Sequence, residues 1–233
     1  MTPLVLLPGM MCDARLFAPQ IAAFSAWRAV QTAPLVGGDT VQTLATSVLR
    51  DAPPRFALAG LSMGGIVAME MARQAPDRIL GLALLDTNPR AELETVRQNR
   101  EPQIAKVLRG DLAAVMRDEM KPNYLTDGPH RDAILDLCMD MAAALGPDVF
   151  IRQSRALQSR PDQQDTLRGL TCPTLILCGR DDVLCPVERH RLMHDLVPGS
   201  TLNVIDHAGH LPTLEQPVHT TAALAQWLEK TDG

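Results

Sequence analysis

Short apolar runs alternate along this chain with longer segments whose apolar residues recur every three or four positions. The short runs are typical of parallel strands that are buried on both faces, and the longer segments are typical of amphipathic helices. Strands are predicted at Pro3–Leu7, Arg28–Thr32, Phe56–Ala59, Ile79–Leu85, Thr174–Cys178 and Thr201–Ile205. Strands that alternate with helices in this way indicate an α/β fold, with a mostly parallel central sheet flanked by helices.

The alternation is interrupted once, between about Asn88 and Gly169, where the sequence is charged and predicts helices throughout. A helical block between two strands of one sheet is best interpreted as an inserted all-helical cap. The predicted division is a core of residues 1–88 and 170–233 and a cap of residues 89–169. The predicted helices are Leu16–Trp27, Thr40–Leu49 and a segment after Ser62, then Ala91–Leu108, Asp111–Met120, Arg131–Leu145 and Pro147–Gln158 in the cap, then Val187–Leu196 and Leu214–Glu229.

One stretch, Phe56–Met71, predicts a strand, a sharp turn and a helix with Ser62 at the turn. It contains the pattern G-x-S-x-G, whose small residues let neighbouring backbone approach a strained turn. Such a turn exposes the serine hydroxyl and places the Met63 N–H at a helix start, where amides lack partners and the dipole favours negative charge. Ser62 is therefore a candidate nucleophile, although a plain Gly/Ser-rich turn also produces this pattern.

Composition narrows the class of protein. The 233 residues suit one domain with a subdomain, and a formal net charge of −5 argues against nucleic acid or an anionic membrane as the main partner. No stretch approaches the length of a membrane span, and Met1-Thr2-Pro3 lacks the basic region of a signal peptide. Five cysteines without C-x-x-C spacing suit reduced thiols. We expect a cytoplasmic monomer or homodimer that acts on a small molecule.

A serine nucleophile needs a base within hydrogen-bond reach and a third group that orients the base. In a parallel α/β sheet, functional groups gather on loops at the carboxyl ends of strands. Two later loops meet this condition: one carries Asp181 and Asp182, and the next carries His207 and His210. The order along the chain is therefore serine, acid, histidine.

Three motifs give the chain a specific resemblance: GLSMGG at residues 60–65, GRDDVLCP at 179–186 and AGHLPTLEQP at 208–217. With them it resembles the α/β-hydrolase family, in particular its small esterases, lactonases and C–C hydrolases. The resemblance covers nearly the whole chain outside the cap and agrees with the serine–acid–histidine order. It implies the α/β-hydrolase fold, no cofactor, and hydrolysis of a carboxylic ester or related acyl bond through an acyl-enzyme.

The family pattern places the nucleophile at Ser62, the base at His210 and the acid at Asp182. Asp181 is the adjacent alternative for the acid and otherwise a turn residue or cap. Asp86 is a second alternative, because some of these hydrolases carry the acid after the strand that precedes the cap.

Other ionisable residues near these motifs have simpler explanations. His207 is better explained as a turn or rim residue, and Glu215 as a charge at a helix start. His190 and His194 are spaced as a helical metal pair would be, but the glutamate of H-E-x-x-H is missing. A solvated helix face is the better interpretation, and we expect no metal site.

An oxyanion hole needs two N–H donors aimed at the carbonyl oxygen as it gains charge. The resemblance assigns one to Met63 and the other to the loop after the first strand, where the family usually has His-Gly-x. Here Pro8 replaces the histidine, and Gly9 still permits close backbone approach. The Met10 N–H is therefore the second candidate donor.

Substrate contacts are the least constrained prediction. Flexible methionines near the site and side chains from the cap suit an apolar acyl group of modest size, although core packing also explains the cap residues. A basic run on the last cap helix, including Arg160, could bind a carboxylate or phosphate, although a solvated face also explains it. The candidate substrate-binding residues are Met11, Phe150, Arg152 and Arg155.

The predicted function is that of a serine hydrolase that cleaves a carboxylic ester or related acyl bond of a small substrate. Two alternatives stay open. The same triad could transfer the acyl group to an alcohol or amine, or carry out cofactor-free perhydrolysis. A receptor could also keep the triad and signal through cap movement.

Overall fold

A computed structural model describes residues 1–232. Its six strands are β1 (Leu4–Leu7), β2 (Val30–Thr32), β3 (Phe56–Leu61), β4 (Ile79–Leu85), β5 (Thr174–Gly179) and β6 (Thr201–Ile205). They form one sheet in the order β2-β1-β3-β4-β5-β6, and every neighbouring pair is parallel. The predicted α/β fold with a parallel sheet is confirmed.

The helices that flank the sheet or follow its strands account for most of the remaining chain. They are α1 (Ala18–Phe24), α2 (Val41–Asp51), α3 (Met63–Gln74), α4 (Glu94–Leu108), α5 (Leu112–Ala114), α6 (Arg131–Leu145), α7 (Pro147–Gln158), α8 (Gln164–Arg168), α9 (Val187–Leu196), α10 (Pro212–Glu215) and α11 (Pro217–Asp232). Short 3₁₀ helices occur at Ala14–Phe17, Pro76–Arg78 and Lys121–Asn123, and a π-helix occurs at Val115–Met120.

The central strands β1, β3, β4 and β5 are buried on both faces of the sheet, which explains why they are largely apolar runs. Along β1, Val5 and Leu7 belong to the core that α2 and α3 cover. Leu4 and Leu6 point to the other face and pack in the core that contains α1 and α11. Both faces of such a strand must be apolar, so no alternation of apolar and polar residues marks it in the sequence.

The strand order brings two loops together at the carboxyl edge of the sheet. The chain passes from β1 outward to β2 and then returns to the other side of β1 to form β3. The loops after β1 and β3 therefore diverge from adjacent strands, as at the switch points where α/β folds bind ligands. This geometry places residues 8–11 beside Ser62.

Residues 86–173, between β4 and β5, contain helices and no strand. This agrees with the predicted helical insertion. The predicted boundaries between the insertion and the core, at residues 88/89 and 169/170, stay predictions. Residue 233 of the predicted core lies outside the described residues. None of the helices in residues 1–232 is long and apolar enough to cross a membrane.

Three predicted helices differ from those observed. The first begins as the 3₁₀ turn Ala14–Phe17 and ends at Phe24. The predicted helix at 111–120 is mainly π-helix. The predicted final helix is two helices, because Pro217 lacks the N–H that would continue α10 and instead starts α11.

Candidate active site

Ser62 lies at a strained turn between β3 and α3. Its backbone has φ +55° and ψ −115°, a region that a residue with a Cβ adopts only when its surroundings impose it. Glycines make the turn possible: a Cβ at Gly60 would overlap the Gly64 carbonyl, and a Cβ at Gly64 would overlap the Leu7 carbonyl. Gly65 is equally constrained, since a Cβ there would come within 2.7 Å of the Thr87 side chain.

Ser62, His210 and Asp182 form one continuous hydrogen-bonded chain. His210 Nε2 is 2.9 Å from Ser62 Oγ, and His210 Nδ1 is 2.8 Å from Asp182 Oδ2. A proton on Nδ1 donates to the carboxylate and leaves Nε2 free to accept from the serine hydroxyl. His210 and Asp182 are buried, whereas Ser62 is partly exposed. The structure thus brings together the three residues that the sequence motifs selected.

The surroundings of Asp182 stabilise its ionised form. Burial acts to raise the pKa of its carboxyl, but the neighbouring His210 and hydrogen bonds from backbone amides outweigh that effect and hold the pKa below its ordinary value. The amides belong to Leu184, at 2.8 Å from Asp182 Oδ1, and Cys185, at 3.0 Å. Asp181, the adjacent alternative, is exposed and only its backbone N–H bonds to the next loop.

Asp86, the other alternative acid, lies in the same buried region, but the pKa of its carboxyl group is shifted in the opposite direction. Its Oδ1 accepts from the Gly179 N–H at 2.8 Å, and its Oδ2 has no hydrogen-bond partner in residues 1–232. Complete burial raises the pKa of Asp86 well above its ordinary value, and the charge of Asp182 raises it further. The surroundings of Asp86 therefore favour its protonated form, whereas those of Asp182 favour the ionised form.

Two residues that the sequence analysis did not assign to the site hold the His210 loop. The Glu215 carboxylate accepts from the N–H groups on both sides of His210, those of Gly209 at 3.0 Å and Leu211 at 3.1 Å. Glu215 lies in the first turn of α10, as predicted, and is also the last residue of that short helix. The Tyr124 carbonyl accepts from the His210 N–H at 2.7 Å, and its ring lies 5.7 Å from the imidazole. The position of Glu215 in the AGHLPTLEQP motif was the available signal, whereas no motif marks Tyr124.

Both predicted oxyanion donors lie at this site. Met63 is the first residue of α3, and Met10 follows the Pro8-Gly9 turn after β1. Within residues 1–232 neither the Met10 nor the Met63 N–H donates to a protein acceptor. The next amide, that of Met11, donates to Gln153 Oε1 at 2.9 Å, and this bond fixes the loop. A Cβ at Gly9 would meet its neighbours at an ordinary 3.5 Å, so the loop does not require glycine there.

A cavity of about 430 Å³ opens beside Ser62 and His210. Its apolar wall includes Met10, Met63, Ile66, Leu93, Val96, Met120, Tyr124, Leu157 and Leu184. Its polar wall includes Thr87, Asn88, Glu92, Asn99, Arg100, Gln103, Glu119, Asn123, Arg160, Cys185 and Arg189. The cavity beside the serine therefore combines apolar and strongly charged side chains in its wall.

None of the four predicted substrate-binding residues lines this cavity, and each has a structural reason to lie elsewhere. Met11 and Phe150 are fully buried in the core. Arg152 donates to the Val36 carbonyl at 2.9 Å, and the exposed Arg155 pairs with Glu101. The basic run of α7 extends beyond the helix to Arg160, and that residue alone of the three arginines faces the cavity.

The structure gives different explanations for the two histidines of α9. His190 is buried rather than solvated, which contradicts the sequence prediction, and its Nε2 accepts from the Thr87 N–H at 3.1 Å. Burial lowers the pKa of His190 to about 4 and keeps it neutral, as an acceptor must be. His194 lies 2.7 Å from Ser200 Oγ. His207 occupies an exposed turn with φ +57°.

Asp182, Cys185 and His210 place potential metal-ligand atoms within 4.8 Å of one another. Asp182 and His210 already bond to each other, and burial raises the pKa of Cys185 to about 12. A protonated thiol is a poor metal ligand. This cluster is better explained as the acid–base pair with a packed thiol beside it.

Comparison with known proteins decides the family. The sequence model of the alpha/beta hydrolase family matches residues 4–224. The chain belongs to this family. The predicted family, fold and reaction class are confirmed.

Relatives of this α/β hydrolase with named activities cleave acyl bonds. The pimeloyl-[acyl-carrier protein] methyl ester esterase of Aliivibrio salmonicida is 25% identical, with 98% of this chain and 93% of that protein aligned. A thermophilic esterase from Thermogutta terrifontis, solved with malate bound, is 29% identical and superposes with a TM-score of 0.90. The alignment covers 99% of this chain and 90% of the esterase chain. The enol-lactonase of Burkholderia xenovorans, at 22% identity and a TM-score of 0.87 over 98% and 92% of the two chains, shares the fold.

Proposed function

We propose that this α/β hydrolase cleaves carboxylic esters of small acyl groups and that Ser62, His210 and Asp182 are its catalytic triad. The observation that carries the proposal is the hydrogen-bonded chain from Ser62 Oγ through both nitrogens of His210 to Asp182. The strained turn and the adjoining cavity support it, because they expose the hydroxyl where a substrate can reach it.

The geometry supports a two-step reaction. His210 Nε2 takes the proton of Ser62 as its oxygen attacks the ester carbonyl, and His210 then protonates the departing alcohol. Water, deprotonated by the same nitrogen, hydrolyses the acyl-enzyme. The ionised Asp182 holds the proton on His210 Nδ1 and stabilises the imidazolium that forms. The unpaired amides of Met10 and Met63 are positioned to bind the oxyanion of each tetrahedral intermediate.

Substitution of Ser62 by alanine tests the nucleophile. We expect Ser62→Ala to reduce hydrolysis of a short p-nitrophenyl ester by about 10⁴-fold or more, because the covalent route is lost. The circular dichroism spectrum should match that of the wild type. The melting temperature should stay close to the wild-type value or rise, because the substitution removes no hydrogen bond that is essential to the fold. Retention of most of the activity by a folded variant would contradict the proposed mechanism.

We further propose that the protein acts in the cytoplasm as a monomer or homodimer. The absence of disulfides supports the first part, since all five cysteines are free thiols. Light scattering coupled to size-exclusion chromatography would measure the oligomeric state directly.

A further inference from the structure

Three guanidinium groups share the wall of the cavity beside Ser62. Arg100 comes from α4, Arg160 from the segment after α7, and Arg189 from α9. Their side chains come from three different elements, so no single helix face explains their convergence. The solvated face that we predicted for Arg160 is also wrong, since only 11% of its side chain is exposed.

The negative charges around this cluster do not balance it. Glu92 is the carboxylate that contacts it: Glu92 Oε2 is 2.6 Å from Arg100 Nε, and Glu92 Oε1 is 3.2 Å from Arg160 Nη1. The other acidic residue of the cavity, Glu119, pairs with Lys106. No carboxylate in residues 1–232 forms an ion pair with Arg189. Three positive charges therefore face one negative charge.

Burial makes this excess of positive charge unfavourable. The exposed fractions of the Arg100 and Arg160 side chains are 13% and 11%, so water screens them poorly. Burial lowers the pKa of Arg160, Glu92 opposes that effect, and the charges of Arg100 and Arg189 lower the pKa further. The charges of Arg100 and Arg189 thus oppose that of Arg160, and an anion among the three groups would relieve this repulsion.

Arg189 also has unused hydrogen-bond donors. Its Nη1 donates to the Leu184 carbonyl at 2.8 Å and lies 3.9 Å from Cys185 Sγ. Its Nε and Nη2 bond to no acceptor in residues 1–232. A guanidinium held by one nitrogen presents the remaining N–H groups in a fixed orientation, which suits the oxygens of a carboxylate or phosphate.

We propose that Arg189 and Arg160, together with Arg100, form a subsite for an anionic oxygen group, a carboxylate or phosphate, on the ester substrate. This inference rests on the proposed function and adds the charge of the substrate. The apolar surface formed by Met10, Met63 and Ile66 borders Ser62 in the same cavity. The preferred substrate therefore combines a short apolar segment with an anionic group.

Matched pairs of substrates test the subsite. Monomethyl adipate against methyl hexanoate compares a terminal carboxylate with a neutral chain, and an acyl thioester of 4′-phosphopantetheine against that of pantetheine does the same for a phosphate. For one pair or the other we expect the anionic member to have a kcat/KM about 10- to 100-fold higher. The pair that shows the preference identifies which anion the subsite binds.

Variants connect the preference to the arginines. Arg189→Gln should remove most of the preference, measured as the ratio of the kcat/KM values for the two members of a substrate pair. Arg189→Lys, which keeps the positive charge, should retain part of it. Arg155→Gln is the matched control, because Arg155 is exposed and pairs with Glu101 outside the cavity. Equal kcat/KM values within both pairs, or an unchanged preference in a folded Arg189→Gln variant, would overturn the subsite.

A binding measurement separates the subsite from the proposed reaction. Calorimetric titration of the Ser62→Ala variant with monomethyl adipate and with the phosphopantetheine thioester does not require turnover. If one anionic ligand binds and the Arg189→Gln substitution weakens that binding, the subsite is supported even if no ester is hydrolysed. The lack of hydrolysis would then count against the proposed function alone. Hydrolysis of neutral esters, together with no preference for the anionic ligands in binding, would refute the proposed subsite and leave the proposed function intact.

Discussion

At the scale of single residues, the site contains two carboxyl groups that their surroundings hold in opposite states. Asp182 accepts two amide hydrogen bonds and contacts His210, and its pKa is held below the ordinary value despite burial. Asp86 accepts one amide hydrogen bond, and burial raises the pKa of its carboxyl group well above the ordinary value. An acid that orients a histidine must be ionised. This difference favours Asp182 over Asp86 as the third member of the triad.

Separate substitution of the two aspartates tests this assignment. Asp182→Asn should lower kcat/KM for a neutral ester by about 10³- to 10⁴-fold, because the amide stabilises the wrong histidine tautomer. Asp86→Asn replaces a protonated acid by a neutral group of the same shape and should change kcat/KM less than about tenfold. Steady-state kinetics of both variants provide the comparison. A larger loss for Asp86→Asn would transfer the role of the acid to Asp86.

Residue roles could be predicted from the sequence only where a motif fixed them. Ser62, Asp182 and His210 are fixed because each follows a strand at a position that the chemistry requires. No motif identifies Arg160 and Arg189, because whether their side chains face the cavity depends on which side of a helix or loop packs against it. Arg152 and Arg155 were chosen from the same basic run as Arg160, and three-dimensional packing alone separates them.

At the scale of elements, the turn between β3 and α3 depends on contact with its neighbours. Gly64 packs directly against the carbonyl of Leu7 at the end of β1. This contact is between two backbones, so no side-chain rotation can relieve a clash. The same approach brings the loop after β1, with Met10, to the start of α3, with Met63.

Substitution of Gly64 by alanine tests this contact. We expect Gly64→Ala to destabilise the protein by about 2–4 kcal/mol, as overpacking against an immobile group does, and to reduce activity because the two oxyanion donors move apart. Gly37→Ala is the control, since a Cβ at Gly37 meets no atom within 4 Å. Urea denaturation of both variants measures the free energies of unfolding. Equal values for the two variants would show that the turn tolerates the added methyl group.

The element pattern was predictable where burial was uniform and less so where it was not. Strands buried on both faces are recognisable as apolar runs, as β1, β3, β4 and β5 are, whereas the two edge strands β2 and β6 are only partly buried and contain polar residues. The π-helix at Val115–Met120 and the break before Pro217 arise from local hydrogen bonding that hydrophobic periodicity does not report. The insertion was predictable as helical, but which of its residues reach the cavity depends on how its helices pack.

At the scale of the whole molecule, the buried aspartates make stability depend on pH. Between the ordinary pKa of an aspartate and the raised pKa of Asp86, the native state binds a proton that the unfolded state has released. Stability therefore falls as the pH rises through that window. Asp182 acts in the opposite sense: its lowered pKa contributes stability that is present above the ordinary pKa and is lost as the pH falls through the lowered value.

The same variant, Asp86→Asn, isolates the first effect. Asparagine keeps the acceptor for the Gly179 N–H, tolerates the φ of +43° at this position and cannot ionise. We expect its melting temperature to equal that of the wild type near pH 4 and to exceed it increasingly at pH 6 and pH 8, by about 2–4 °C for each kcal/mol removed. Asp77→Asn, at an exposed position, should show no such divergence. A constant difference at all three pH values would contradict a protonated Asp86.

The helical insertion does more than cover the cavity, because it also holds both halves of the reactive apparatus. Its Tyr124 carbonyl receives the His210 N–H, and its Gln153 side chain receives the Met11 N–H beside the oxyanion loop. Selectivity and chemistry therefore cannot be inherited as separate modules in this molecule. A helical insertion transplanted from a relative would bring a different cavity wall. Without equivalents of these two acceptors, it would also leave His210 and the loop of Met10 and Met11 without the hydrogen bonds that hold them in place for catalysis.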